Sequence, residues 1–319
     1  MMRSLNIGFA ARFSSLLVLL LLLGSSYLWL IRPAQLRWGA TNDELARSMP
    51  EDSIVPHPIF DATRAITIHG RPEDIWPWLI QMGFGRAGFY GCDLIENVGS
   101  GAGIRSADEI IPAFQHPRQG DPLPLSVAAT LAYGPVLENH YVVWISGDAP
   151  THGVFIWQLF PVDASHTRLI SRIRWNYLRT PQGIALGVFT EFADHVAVRK
   201  ILTGIRDRVE GRPPQTILTQ ALEISGWTFA TVNFLIAIFL TLFWRYWYYA
   251  WVMALCAGAL LQFVLYSRSP VVLCAFLPSL FLALMLLIIS SLGRRHKAQL
   301  ADRINSGPYV VSHTSVVSH

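Results

Sequence analysis

Residues 63–80 read TRAITIHGRPEDIWPWLI. Ala65 alternates with Ile66 and Ile68, a period of two, which predicts a strand over 63–69, ended by Gly70. Pro72, Glu73 and Asp74 then open a helix. Proline suits the first turn, and the two acids complement the helix dipole there. The helix is expected over 72–81, with Ile75, Trp76, Leu79 and Ile80 on one face. Gly83 and Gly85 break it. A second short helix is expected over 89–98 (FYGCDLIENV), with Leu94, Ile95 and Val98 as its buried side.

Downstream, 99–119 is polar, with a short helix or turn at 106–111, and Gly120-Asp121 signals a turn. Strands are predicted at 136–146 (VLENHYVVWIS), 153–161 and 167–177, the last two forming a hairpin around 162–166. A weaker strand at 123–127 is confined to an edge by Pro122 and Pro124. The last polar-domain element runs from 181 to 210. Pro181 fits its first turn, and Gly211 with Pro213-Pro214 stops it. Its apolar stripe is read as Ala185, Val188, Phe189, Phe192, Val196, Leu202, Ile205 and Val209. Arg199, Lys200, Arg206 and Arg208 mark the other face. Upstream, 37–58 holds Pro50, Pro56 and Pro58 and reads as an extended linker with one helical piece at 43–48. This order predicts an α+β domain in which a curved antiparallel sheet wraps a long C-terminal helix, and a gap between the two makes a pocket.

Four uncharged apolar runs bracket that domain: 13–31, 224–243, 247–266 and 271–292. Each has about the 20 apolar residues that a bilayer crossing needs. The composition agrees, at 52% hydrophobic and 14% charged, where soluble domains carry about 25% charged residues. The first run continues through Tyr27, Trp29 and Ile31 into Arg32-Pro33 without a small-x-small cleavage site, so it reads as a retained anchor. The expected layout is an anchor at 1–36, the linker at 37–58, the domain at 59–212, three membrane helices at 213–293 and a basic, disordered tail at 294–319. The arginines near the membrane ends suit anionic lipid head groups, not the basic stripe that nucleic acid requires. Arg3 and Arg12 with Arg294, Arg295 and Lys297 place both termini in the cytoplasm and the domain outside the cell membrane. Of three cysteines only Cys92 falls in the domain, so it holds no internal disulfide.

The chain resembles the START-like, polyketide-cyclase and lipid-transport (SRPBCC) superfamily, in its membrane-tethered subgroup. The residues that carry the resemblance are Arg37-Trp38-Gly39-Ala40-Thr41, Thr63 to Thr67 with Ile68, and Pro72-Glu73-Asp74-Ile75-Trp76-Pro77-Trp78-Leu79. Gln81-Met82-Gly83, Gly85 to Tyr90, Asp93, Glu96-Asn97, Ser106-Ala107-Asp108 and the hairpin follow the same pattern. It covers about 37–211 and implies the helix-grip fold over an apolar cavity, more firmly than any activity. The stretch 120–133 departs from it, which puts the sheet edge in question. The C-terminal runs lie outside it.

Trp76, Trp78, Phe89, Tyr90, Trp144, Trp157 and Trp175, with Phe192, either line a ligand cavity or fill an ordinary core. Tyr90, Asp93, Glu96 and Asn97 crowd one short helix. A carboxylate there could act as acid or base, or the group could be a hydrogen-bonding cluster that fixes the helices. Glu191, Asp194 and His195 read as a solvated or locally paired helix face. Arg172 and Arg174, on one side of a strand, read as exposed sheet surface or an anionic head-group site. No metal spacing, phosphate loop, dinucleotide fingerprint or nucleophile elbow is present, and no cofactor is expected. The leading expectation is a membrane-anchored binder of a lipid or other hydrophobic small molecule. A cyclase or dehydrase using Tyr90, Asp93 or Glu96 is the alternative. A third reading is a module that docks a membrane-protein partner through its C-terminal spans.

Overall fold

Strand β1 (Phe60–His69) carries the predicted alternation and begins at Phe60. The computed structural model describes residues 8–147, 152–243 and 247–266, with 293–294 and 298–299. Around β1 the chain runs α1 (Phe9–Ser26), α2 (Arg32–Leu36), α3 (Asn42–Ala46), β1, α4 (Pro72–Ile80) and α5 (Asp93–Glu96). It continues through β2 (Pro122–Pro124), β3 (Thr130–Leu137), β4 (Tyr141–Ser146), β5 (Gly153–Pro161) and β6 (His166–Trp175) to α6 (Pro181–Val209), α7 (Ile217–Phe243) and α8 (Trp247–Tyr266). It forms two compact units: residues 17–224, and the described residues before 17 and after 224.

The strands form one six-stranded sheet in the order β1-β6-β5-β4-β3-β2. Every pairing is antiparallel, with Phe60 opposite Trp175 and Pro161 opposite Thr167. The proline-flanked β2 takes an edge, where its missing N–H groups leave no gap in the ladder. The predicted single strand at 136–146 is two strands. Asn139 sits at φ 59° between them, and asparagine tolerates that left-handed turn. The predicted helix over 89–98 is only α5, because Gly88 and Tyr90 both hold positive φ.

Alternate residues of β1 serve two cores. Ile66 and Ile68 join Trp144, Trp157 and Leu169 on the inner face, under Ile75 and Leu79 of α4 and Leu202 and Ile205 of α6. Ala65 joins Val143, Val154, Ile156 and Ile170 on the outer face, under Met49 and Val55. The stretch read as a linker is therefore packed over the back of the sheet. Arg172 fastens it, donating to the carbonyls of Glu44 (2.8 Å) and Arg47 (2.7 Å), to Asp52 (2.7 Å) and to Thr63 Oγ1 (2.9 Å). Arg172 is 4% exposed, so it is neither open sheet surface nor free to take a head group. Arg174 donates to the Asp52 carbonyl at 2.9 Å.

Two helices are long and apolar enough to cross a membrane among the described residues, Phe9–Leu36 and Ile217–Phe243, rather than the expected four. The expected run at 247–266 forms α8, twenty residues of helix. Residues 271–292 lie outside the described residues, as does most of the tail. The first helix widens at Tyr27–Ile31 into a π turn, closed by Arg32 N–H donating to the Tyr27 carbonyl. Pro33 follows, without an N–H for the Trp29 carbonyl. An extra residue in the turn is a usual way to absorb that loss.

Candidate functional site

Between the inner sheet face and α6 lies a cavity of about 210 Å³. Trp144 of β4 and Phe155 and Trp157 of β5 form one wall, and Phe89, Glu96 and Leu125 close the side. Asp194, Ala197, Val198 and Ile201 form the α6 wall, spaced at i, i+3, i+4 and i+7 and so on one helix face. Trp144 stands opposite Phe155 in the ladder. The Trp144 and Trp157 rings lie 5.4 Å apart between centroids, at 54°.

Two carboxyl groups enter this apolar wall, and they differ. Asp194 accepts from Arg64 Nη1 at 2.5 Å. Glu96 makes no salt bridge among the described residues. Its Oε2 accepts the backbone N–H groups of Gly91 (3.1 Å) and Cys92 (2.9 Å). A side chain at Gly91 would collide with that carboxyl, so glycine is what lets it fold back. Burial raises the Glu96 pKa to about 7, against the N–H donors and the Lys200 charge, which favour the ionised form.

The other expected acid–base residues are occupied. Asp93 Oδ1 accepts from Ser106 Oγ (2.6 Å), Ser106 N (3.1 Å) and Asn97 Nδ2 (3.2 Å), and Oδ2 accepts from Gln220 (3.2 Å). Tyr90 Oη donates to the Trp78 carbonyl at 3.0 Å and accepts from Gln81 at 2.9 Å. Burial pushes its pKa up, so it stays a neutral phenol. Of the expected aromatic set, Phe89, Trp144 and Trp157 line the cavity. Trp76 of α4 is core, and Trp78 meets Tyr90 edge-on at 6.0 Å. Trp175 packs with Tyr177, Phe60 and Ile173, away from the cavity. Phe192 is half-buried on α6 and outside the wall. Phe155 was legible two residues from Trp157 on the same strand face. Leu125, Ala197, Val198 and Ile201 carry no comparable local signal.

Polar residues of α6 point inward and are paired. Arg32 Nε and Nη2 donate to Glu191 at 2.5 and 2.9 Å. The Gln35 carbonyl accepts from Arg64 Nε at 2.9 Å and faces His195 Nδ1 at 3.0 Å, so that nitrogen carries the proton. Burial, with Arg64 and Arg199 nearby, pushes the His195 pKa down to about 3. No group of three or more His, Cys, Asp or Glu side chains among the described residues is placed to hold a metal ion. A larger depression, about 310 Å³, lies at the far end of β1 beside His69, Arg71 and Asp74. Its charged groups are exposed and paired with each other.

Chains of similar structure include a Polyketide_cyc-like protein. That protein, from Corynebacterium glutamicum, is 12% identical with a TM-score of 0.30, over 49% of this chain and 93% of its own. A Mesorhizobium loti protein is 15% identical with a TM-score of 0.30, over 47% and 98%. A Thermus thermophilus protein is 14% identical with a TM-score of 0.31, over 47% and 97%. No family model and no curated protein matches the sequence. Strand order and the helix seated on the inner sheet face carry the helix-grip architecture independently of these likenesses.

Proposed function

We propose that the domain binds a small hydrophobic molecule in the cavity between the sheet and α6. The supporting observation is a void walled by Trp144, Trp157, Phe89 and Phe155 with one carboxyl, Glu96, that forms no salt bridge among the described residues. An apolar cavity of about 150 Å³ takes benzene, so about 210 Å³ suits a ligand of aromatic or short-chain size, not a whole diacyl lipid. Calorimetric titration of the full chain in lipid nanodiscs with 1-naphthol, against empty nanodiscs, tests this. Saturable binding is expected, and Ala197→Phe, which fills the void, should weaken it strongly while leaving the melting temperature unchanged or higher. Heat no greater than that of empty nanodiscs, or binding indifferent to Ala197→Phe, refutes the reading.

One observation favours a second reading, an enzyme acting on an apolar substrate. Glu96 titrates near neutrality beside the void, where a carboxyl can give and take a proton. Glu96→Gln would then stop turnover and spare 1-naphthol binding. Under either reading the helices Phe9–Leu36 and Ile217–Phe243 anchor the domain in the cell membrane. The arginine distribution favours the outer side.

A further inference from the structure

The first turns of α6 have a composition at odds with a water-facing helix. Residues 181–190 read PQGIALGVFT and carry no charge. Ile184 is 48% exposed, Leu186 64% and Phe189 66%, and Leu178 just before the helix is 52%. At about 100° per residue these helix positions look out in three directions. The fourth side rests on Tyr177, where a side chain at Gly187 would strike the ring. An uncharged helix end with large apolar side chains exposed on several sides belongs in a protein core or in lipid, and among the described residues Ile184, Leu186 and Phe189 stay exposed.

Its place along the chain names the cover. Glu191, two residues past Phe189, is gripped by both arms of Arg32 and by the Tyr177 hydroxyl. Arg32 directly follows the apolar run of the first candidate span, whose Leu28, Trp29 and Leu30 are themselves exposed. Tryptophan and arginine at that point mark a membrane–water boundary. The exposed tip of α6 is thus fastened within about one helical turn of where the span leaves the hydrocarbon. Arg179, exposed at the foot of the tip, is placed for a lipid phosphate.

We propose that the N-terminal tip of α6, through Leu178, Ile184, Leu186 and Phe189, inserts into the bilayer crossed by the first helix. This rests on the membrane anchoring proposed above and is independent of ligand binding. It also gives the cavity a lipid-side approach, because Asp194 of its wall lies only five residues, about 7.5 Å of helix rise, beyond Phe189.

Spin labels on single cysteines test it, in the full chain with Cys92, Cys256 and Cys274 replaced by alanine. The chain is held in nanodiscs of phosphatidylcholine and phosphatidylglycerol. Leu186→Cys and Phe189→Cys are the test positions, with Ile184→Cys in reserve should either fail to fold. Leu21→Cys serves as the span reference and Val162→Cys as the aqueous one. Power saturation should give the tip positions the high-oxygen, low-nickel accessibility of position 21 and the reverse of position 162. If position 21 is lipidic while the tip reads like 162, insertion is overturned and anchoring survives. Shielding of the tip from both reagents means a protein covers it, which also overturns the proposal. An aqueous reading at position 21 removes anchoring and insertion together, leaving the 1-naphthol result untouched.

Discussion

Arg64 and Asp194 form an ion pair at 2.5 Å across the gap between β1 and α6, 1% and 11% exposed. Arg64 also holds the Gln35 carbonyl, so one guanidinium joins the cavity wall to the end of the first helix. Removing one member of a buried pair leaves the other charge unpaired, which costs about 3–5 kcal/mol, while replacing both by apolar groups is often near neutral. Arg64→Leu alone should therefore lower stability by about that amount, and Arg64→Leu with Asp194→Leu should recover much of it. Denaturant titration of the single and double variants measures the recovery. Strictly additive losses would show that the pair is not coupled.

Glu96 gives a pH prediction with a definite sign. Its carboxyl is raised from an ordinary 4.5 to about 7. Below about 4.5 both the folded and unfolded chains hold the proton. Between about 4.5 and 7 the unfolded chain releases it and the folded chain keeps it, so stability falls as pH rises, and above about 7 the penalty is constant. At 1.36 kcal/mol per unit the loss is on the order of 3 kcal/mol. Glu96→Gln keeps an acceptor for Gly91 and Cys92 but cannot ionise. Its stability advantage over the wild type should therefore grow from pH 4.5 to 7. Parallel melting-temperature profiles for the two proteins would sink the assignment.

How far the sequence was legible follows from what was local. The alternation at Ile66 and Ile68, the Pro72 helix start and the turn at 162–166 are nearest-neighbour signals, and they place β1, α4 and the β5–β6 hairpin. The stripe read for α6 differs from the buried face in the helix's first half. Phe189 is exposed, whereas Glu191 and His195 are buried, because their partners Arg32 and Gln35 lie more than a hundred residues away in sequence. Likewise, nothing near Arg172 shows that residues 44–52 fold back over it. Trp144 and Trp157 line the cavity and Trp76 and Trp175 do not, and aromatic type alone does not separate the two pairs. That separation depends on which strand face meets the gap.

The turn that splits 136–146 into two strands predicts its own test. Asn139 holds φ 59°, a conformation that costs most side chains about 1–2 kcal/mol. Asn139→Gly should be neutral or slightly stabilising, and Asn139→Val should lose about that amount. Thermal shifts of the two variants decide it. Equal behaviour would mean the chain does not turn left-handed at this residue.

Gly204 should behave opposite to an ordinary helix glycine. In the middle of an exposed helix, Gly→Ala gains up to about 1 kcal/mol. Gly204 of α6 lies against the Tyr90 backbone, and a side-chain carbon there would overlap the Tyr90 carbonyl. Tyr90 cannot easily yield, because it sits at φ 63° with its hydroxyl held by Trp78 and Gln81. Gly204→Ala should thus lose about 1–3 kcal/mol, as overpacked sites do. Gly101→Ala, in a loop with no atom within 4 Å of the new methyl, should change little. The same displacement would push α6 outward one to two turns from Ile201 and Val198, which wall the cavity, so 1-naphthol affinity should fall with stability. A denaturation midpoint that rises for Gly204→Ala would mean that α6 does not seat on Tyr90 as described.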